Sequence, residues 1–429
     1  MKSKDAVIKI LVEMCRLLIG VVFVFSGFVK TVDPVGGAIK IGEYLTAFGL
    51  DKLQPFTVLL AFNLSAIEFA LGICMLLGVY RRYVSFLILL FMAFMTPLTL
   101  YLALFDPVSD CGCFGDALVL SNWETFCKNI VLSLAAVVTF VYNQRLFQCF
   151  TFRAYWFVAL YAYLFGVGFA YYNYGHLPVI GFRLYKIGAN IPQLMEVPEN
   201  APEDEYEYTF VYEKDGVKKE FSLEDYPAED SSWTFVESKN KLVKQGYRPP
   251  ITDFNIYNGK GYDVTDEIIR NPDPVFLLIS PRLEEADDDR MDEINSVYDY
   301  ALEHNIPFYC VTSSSKKEMD NWSDNTGAEY PFRVADEVLL KTIIRSNPGL
   351  LLLKGGTILG KWHYNDIPTE EKVKKVMNRR LNESKIKNKE GGAIATNLLT
   401  FTVPLLLVWM YDLLRFRRKR KEITICITY

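Results

Sequence analysis

The chain has 429 residues, 51% of them hydrophobic, and a formal net charge of −5. That length leaves room for two or three domains, and the apolar excess is uneven: most of it falls in residues 8–175, with a second block at 393–414. No basic field suits a nucleic acid, and eight scattered cysteines (15, 74, 111, 113, 127, 149, 310 and 426) exclude a disulfide-dense scaffold.

A helix needs about 20 mostly apolar residues to cross a bilayer. Six segments meet that length: Ile10–Val29, Pro55–Val79, Tyr83–Leu104, Trp123–Val141, Ala154–Tyr172 and Ala393–Leu414. The first carries Glu13 and Arg16 and has no small-x-small cleavage site before Lys30, so it reads as a retained span rather than a signal peptide. Lys2, Lys4 and Lys9 precede it, Arg81-Arg82 join the second span to the third, Arg145 and Arg153 join the fourth to the fifth, and Arg415–Lys421 follow the sixth. Six spans with both termini in the cytoplasm put every one of these clusters inside, as the positive-inside rule requires. The loop around Cys111 and Cys113 and the polar stretch 173–392 then lie outside. The expected protein is a multi-domain, multi-pass protein of the cytoplasmic (inner) membrane, an all-α transmembrane bundle carrying a large extracytoplasmic, periplasmic domain.

Ionisable groups inside a bilayer are costly and are functional candidates by default. Arg16 lies about two turns, and Glu68 about three turns, from the cytoplasmic ends of their spans. Their separation is within reach of an arginine side chain, which leads to an expected Arg16–Glu68 pair. The competing arrangement pairs Arg16 with Glu13 on its own helix and leaves Glu68 protonated. Pro97, between Thr96 and Thr99 in the third span, is expected to kink it.

Between the third and fourth spans runs Asp110-Cys-Gly-Cys-Phe-Gly-Asp116. Cys111 and Cys113 are close enough to bridge, and a Cys-x-Cys ring is tight and readily exchanged. The next helix opens with Ser121-Asn-Trp-Glu124, a capping box, whose free N–H groups would favour a nearby thiolate. Lys128 adds positive charge, and Cys127 could resolve a bridge to either sulfur. A static clip that merely holds the loop competes with this redox role. Two sulfurs without a nearby histidine make a poor zinc site, so no metal is expected.

The run Arg16…Gly20…Ser26-Gly27…Lys30…Asp33-Pro34, then Glu68…Leu71-Gly72 and the Cys-Gly-Cys-Phe-Gly loop, resembles the DoxX/MauE group of membrane proteins over about the first 140 residues. The resemblance implies a four-span bundle over 1–145, followed by a fifth span within 146–175. DoxX-type members are linked to quinone-coupled sulfur oxidation and MauE-type members to maturation of a disulfide-bearing periplasmic enzyme. A quinone is therefore the one cofactor that the resemblance admits, organised by the Arg16/Glu68 layer.

Beyond the fifth span, residues 176–249 read as a linker and β-hairpin region, with alternating runs Tyr206–Tyr212 and Val217–Phe221 around Glu213-Lys214-Asp215-Gly216. From Ile251 the pattern becomes α/β. Pro274–Ser280 suits a buried strand, Met291–His304 a helix, Pro307–Thr312 a strand and Lys316–Thr326 a helix. Pro348–Leu353 and Thr357–Trp362 suit a hairpin, and Thr369–Asn382 a closing helix. This order, over residues 250–385, resembles the thioredoxin fold, in which a cis-proline would occupy the position of Pro348. The lead-in Asp253-Phe254…Gly261…Val264-Thr265 is similar to that of peroxiredoxin-like and TlpA-like relatives. The family's Cys-x-x-Cys would follow Ser280, yet Pro281-Arg-Leu-Glu-Glu-Ala286 contains no cysteine, and Cys310 reads as a core residue. Residues 393–421 form the terminal anchor and its basic tail.

The three histidines show no metal-ligand spacing, and no phosphate loop, Ser/His/Asp set or HExxH run is present. The sequence thus points to thiol–disulfide exchange or quinone-linked electron transfer at the outer face of the membrane. Cys111, Cys113 and Cys127 are the reactive candidates; Arg16, Glu68, Lys128 and Pro348 support them. The thioredoxin-like domain would dock an extracytoplasmic protein partner. A non-enzymatic assembly factor with a structural Cys pair is the alternative.

Overall fold

The computed structural model describes residues 2–108, 110–214, 216–222, 225, 232–378 and 383–427. Asp215 of the expected hairpin turn and the last residues of the expected closing helix lie outside these, as do the side chains of the basic tail Arg417–Lys421 and of Cys426.

Helices α1 (Lys2–Val32), α3 (Thr57–Leu77), α4 (Arg81–Phe105), α5 (Asn122–Val141) and α6 (Tyr155–Gly175) form the bundle, and α2 (Pro34–Ala47) follows α1 at one end of it. Five helical segments among the described residues are long and apolar enough to cross a membrane: 51–77, 81–105, 122–141, 155–175 and 391–415. They coincide with five of the six expected spans, and the remaining expected span falls within the 31-residue α1. The chain is accordingly a multi-pass membrane protein. Its lipid-facing character shows in exposed apolar side chains such as Phe94, Leu134 and Leu164.

The α1–α3 contact sets the register of the bundle. A Cβ on Gly72 would sit 2.6 Å from the Val24 nitrogen, and one on Gly27 would sit 2.7 Å from the Phe69 Cα. Small residues on both helices let the backbones touch, the usual means of packing helices that gain nothing from hiding apolar surface in lipid. Gly27 therefore lies beside Phe69, Gly72 beside Val24, and Gly20 beside Leu76. Helix α4 runs on through Pro97 without a break.

The basic loops share one end of the bundle. Arg81 donates to the carbonyls of Gln144 (2.9 Å) and Leu146 (2.7 Å), Arg145 pairs with Asp5 at 3.2 Å, and the Phe147 N–H donates to Glu13 at 2.7 Å. The last helix, α13 (Glu383–Ile427), returns to the bundle: Phe401 packs against Phe69, Tyr161 and Phe165, while Asp412 accepts from the Thr151 N–H at 2.7 Å and its hydroxyl at 2.6 Å.

After α6 the chain passes through α7 (Ile191–Met195) into a three-stranded antiparallel sheet, β1 (Glu205–Lys214), β2 (Val217–Ser222) and β3 (Thr234–Lys244), in the order β2-β1-β3. The hairpin is the one expected from sequence. The third strand was not, because its Lys-rich alternation has no apolar face strong enough to mark it.

The remainder is an α/β unit. Helix α8 (Thr265–Ile269) precedes β4 (Pro274–Ser280), α9 (Met291–Glu303), β5 (Phe308–Thr312), α10 (Lys316–Thr326), β6 (Phe332–Val334), α11 (Glu337–Ile343), β7 (Gly349–Lys354), β8 (Thr357–His363) and α12 (Glu370–Met377). The sheet order is β6-β5-β4-β7-β8, with β4, β5 and β6 parallel and β7 and β8 antiparallel to their neighbours. Val275, Leu277 and Ile279 face a core shared with α8 and α11, while Phe276 and Leu278 face α9, α10 and α12. This period-2 division of one apolar strand between two helical layers is what a buried strand requires. The expected lead-in strand is reduced to single bridges, Tyr257 with Asp263 and with Val334. Asn347–Pro348 is a cis peptide bond, and Cys310 is fully buried in the core.

Replacing Gly27 with valine should force α1 off Phe69 and cost about 1–3 kcal/mol. Unfolding of the purified protein in a mixed-detergent titration measures the loss, with an exposed-glycine variant such as Gly168→Val as the control.

Candidate functional site

The loop 110–116 sits at the end of the bundle that carries the α/β unit. Its turns need left-handed backbone, which Gly112 (φ +64°) and Gly115 (φ +50°) supply. Asp110 accepts from the Gly112 N–H at 2.8 Å and pairs with Lys40 at 3.2 Å, and the Tyr44 hydroxyl donates to the Cys111 carbonyl at 2.9 Å. Helix α2, for which the sequence raised no expectation, thus holds the first half of the thiol turn. Its start was marked by Asp33-Pro34: Asp33 caps it by accepting from the Gly36 N–H at 2.8 Å.

Within the loop the Cys111 and Cys113 sulfurs lie 2.8 Å apart as thiols. A disulfide needs about 2.05 Å, so once an acceptor takes two electrons and two protons from the pair, a small movement of sulfur completes the bridge. The two thiols are not equivalent. The Cys111 S–H hydrogen bond to Cys113 favours the Cys113 thiolate, burial opposes it, and the charges of Lys128 and Lys30 carry it below the ordinary thiol range. Cys111, as the donor, is pushed up. Lys128 is held 4.2 Å above the centre of the Phe114 ring.

The capping box of α5 forms as expected, with Glu124 accepting from the Ser121 N–H at 2.9 Å and Ser121 accepting from the Glu124 N–H at 3.3 Å. The positive neighbours that lower Cys113 are the two lysines. Cys127 is exposed and lies two residues past the buried Thr125, which turns it to the opposite side of α5. The structure does not bring it to the pair.

The expected Arg16–Glu68 pair does not form. Arg16 pairs with Glu13 at 2.6 Å and donates to the Leu76 carbonyl, as in the competing arrangement. Glu68 is instead bound by Lys30 at 2.8 and 3.0 Å. The glycine register explains both: Gly20 lies beside Leu76, so Arg16 meets the far end of α3 at Leu76, about two turns from Glu68. Ser26 links this ion pair to the thiols, lying 3.0 Å from a Glu68 oxygen and 2.7 Å from the Cys113 carbonyl. Lys30 and Ser26 belonged to the recognised sequence pattern, but only contact between α1 and α3 assigns them a place.

These groups line one wall of a cavity of about 740 Å³. Its other walls are apolar: Phe48, Leu50, Leu64, Phe91, Phe94 and Leu98. Phe48, Leu50, Leu64 and Phe94 are also exposed, so the cavity opens on the lipid-facing side between α2, α3 and α4. Helix α11 closes the opposite end with Val338, Lys341 and Thr342.

The α/β unit is fastened over this site by four buried or half-buried charges. Arg345 grips Asp33 with bonds of 2.9, 3.0 and 3.1 Å and lies 3.6 Å from Asp116; Arg183 meets Asp116 at 2.6 Å. Burial pushes the Asp33 carboxyl up, but the Arg345 guanidinium outweighs it and holds it below the usual carboxylate range. Arg345 is two residues from Asn347–Pro348, and Asp116 is three residues past Cys113. Asn347 in turn donates to the Arg282 carbonyl at 2.8 Å, so segment 281–286 lies against the same turn.

The family model of methylamine utilisation protein MauE matches residues 8–142, which include α1–α4, α5 to within its cap, and both cysteines. A domain of unknown function (DUF8463) matches residues 206–245, the three-stranded sheet. No curated protein matches the chain. Among solved structures, that of a candidate protein disulfide isomerase from Bacteroides thetaiotaomicron is 17% identical and covers 29% of this chain and 81% of its own, with a TM-score of 0.24.

Lys30→Met should raise the pH midpoint of Cys113 alkylation by about one unit; a pH series with a maleimide, read by mass, measures it. Arg345→Met should cost about 3–5 kcal/mol by leaving Asp33 buried without its partner, seen as faster deuterium exchange in α11. Because the native Asp33 pKa is lowered, its contribution is complete above about pH 3.9 and is lost as pH falls through the native value.

Proposed function

We propose that this protein is a membrane thiol–disulfide exchange protein whose working pair is Cys111–Cys113. The observation that carries the reading is a sulfur pair at 2.8 Å, with asymmetric proton affinity, walled into a cavity between membrane helices and the α/β unit. The similarity of residues 8–142 to MauE supports a redox or maturation role.

Placement at the outer face of the cytoplasmic membrane, with six spans and both termini inside, is supported by the basic loops gathering at the opposite end from the dithiol. The strand order β6-β5-β4-β7-β8, with β4, β5 and β6 parallel, supports a thioredoxin-like reading of the α/β unit. In that reading the unit docks an extracytoplasmic partner and the bundle supplies the sulfurs.

The exchange balances as follows. A partner thiolate attacks one sulfur of the Cys111–Cys113 disulfide, and the other leaves as a thiolate, which the neighbouring lysines stabilise best at Cys113. A second partner thiolate then breaks the mixed disulfide, so the partner leaves oxidised and the Cys111/Cys113 pair is left as two thiols. The apolar lateral cavity fits a quinone, with Lys30 and the Tyr44 hydroxyl as polar groups on its thiol wall. A quinone there would supply a two-electron, two-proton acceptor that returns the pair to the disulfide. Lys30, held by Glu68, keeps a positive charge beside the sulfurs throughout.

The test is redox trapping. Cys113→Ser should accumulate a covalent adduct through Cys111 that a reductant dissolves, and differential alkylation of the native chain should show both thiols changing state with added oxidant. Thiols that never change state, or Cys→Ser variants with full function, would replace this reading with a structural clip on an assembly factor.

A further inference from the structure

A second cavity of about 550 Å³ lies beside the dithiol chamber, between the α/β unit and α2. The two share Ile39, Lys341 and Arg345 as a common wall. One lip of the second cavity is 281–288, the position where the α/β unit lacks cysteines, with Asn347 of the cis turn behind it; the other lip is Val35 and Ile39 on α2.

The charge of this cleft is lopsided. Its cations are already engaged: Arg282 by Glu285 and Glu337, Lys341 by Glu337, and Arg345 by Asp33. Asp287 and Asp288 line the same cleft, and neither makes an ion pair among the described residues. Asp287 receives only a hydroxyl bond from Tyr364 and the N–H of Asp289 at 3.1 Å. The cleft therefore presents uncompensated negative charge on one lip and aliphatic surface on the other, and it ends against the wall of the chamber that holds the sulfurs. A free carboxylate facing solvent raises the local concentration of cations, and a low-dielectric opposite wall strengthens that field.

We infer that this cleft is the docking site for an extended, basic segment of a cysteine-bearing polypeptide, which lies between 285–288 and α2 and presents its sulfur past the Lys341/Arg345 wall to the Cys111/Cys113 pair. At about 3.3 Å per residue an extended strand needs only a few residues to pass from one cavity to the next. The inference rests on the exchange reading above and adds to it the kind of partner that the α/β unit selects. It also gives that unit a task that needs no cysteine of its own: it supplies charge and a groove, and the membrane loop supplies the sulfur.

The experiment uses full-length Cys111→Ser in detergent or nanodiscs and two short peptides, each with one cysteine activated as its thiopyridyl disulfide. One is flanked by lysines and the other by glutamates. The Cys113 thiolate attacks the peptide sulfur, pyridine-2-thiolate leaves and is counted by its absorbance, and the protein–peptide disulfide remains. Dithiodipyridine itself serves as the small, uncharged control.

The lysine peptide is expected to react at least tenfold faster than the glutamate peptide, with the difference shrinking as salt is raised. Asp287→Asn with Asp288→Asn should abolish that difference while leaving the dithiodipyridine rate unchanged, which also shows that the variant is folded. A benzophenone placed next to the peptide's lysines should crosslink to 285–288 or to α2. If both peptides react at one rate and the crosslinks fall elsewhere, the cleft is not the docking site, and the exchange reading stands without it. If dithiodipyridine also fails to react, Cys113 is inert and both readings fall together.

Discussion

The close approach of α1 and α3 is the constraint on which the site depends. Gly20, Gly27 and Gly72 remove the side chains that would hold the two backbones apart, and they set the register in which the helices meet. That register places Lys30 against Glu68 and Ser26 between Glu68 and the Cys113 carbonyl. A buried carboxylate without a cation would be costly in such a setting, and here a lysine answers it by a short side-chain reach from the end of α1. The thiol loop is thereby tied to the core of the bundle rather than left as a free connection. Its second tie, through Tyr44 and Lys40, comes from α2, so two consecutive helices fix opposite halves of one short turn.

The junction between the bundle and the α/β unit works by the same economy. Asp33 ends α1, caps α2 and receives Arg345 from the turn before Pro348. Asp116 closes the thiol loop and receives Arg183 from the chain leaving α6. Four charges thus connect four segments distant in sequence, and all meet within the neighbourhood of the sulfurs. Lys361, donating to the Tyr185 carbonyl at 3.0 Å and to that of Ile343, lies beside them, its pKa lowered to about 7 by burial and by the two arginines. The junction is consequently rich in charge yet nearly balanced, which suits an interface that must hold a domain in place without an extensive apolar contact.

Much of this architecture was written in the sequence, and for identifiable reasons. Five long apolar helices, the capping box at Ser121–Glu124, the hairpin of β1 and β2, and the alternation of strands and helices after Ile251 all follow from local periodicity and turn chemistry. Periodicity is a property of neighbours in the chain, so a sequence carries it openly. Helix α2 and strand β3 were missed for the converse reason: the first is short and rich in small residues, and the second is nearly all exposed and charged. The pairing of ionisable residues was missed more instructively. Counting turns from the apparent ends of the spans put Arg16 opposite Glu68, because an apolar stretch does not reveal where its helix begins, and α1 starts eight residues earlier than its apolar run.

The sequence alone determined that this is a membrane-embedded chain with two thiols one residue apart in a glycine-bearing turn, and an α/β unit with no cysteine where one would be expected. Only the tertiary structure decided which charges meet those thiols, that Cys127 turns away from them, and that α11 and Arg345 of the α/β unit close the cavity beside them. The division has a physical cause. Burial pattern and turn type depend on residues a few positions apart, whereas an ion pair depends on the relative slide of two helices, and a slide of one turn, about 5.4 Å, exchanges every partner along the contact.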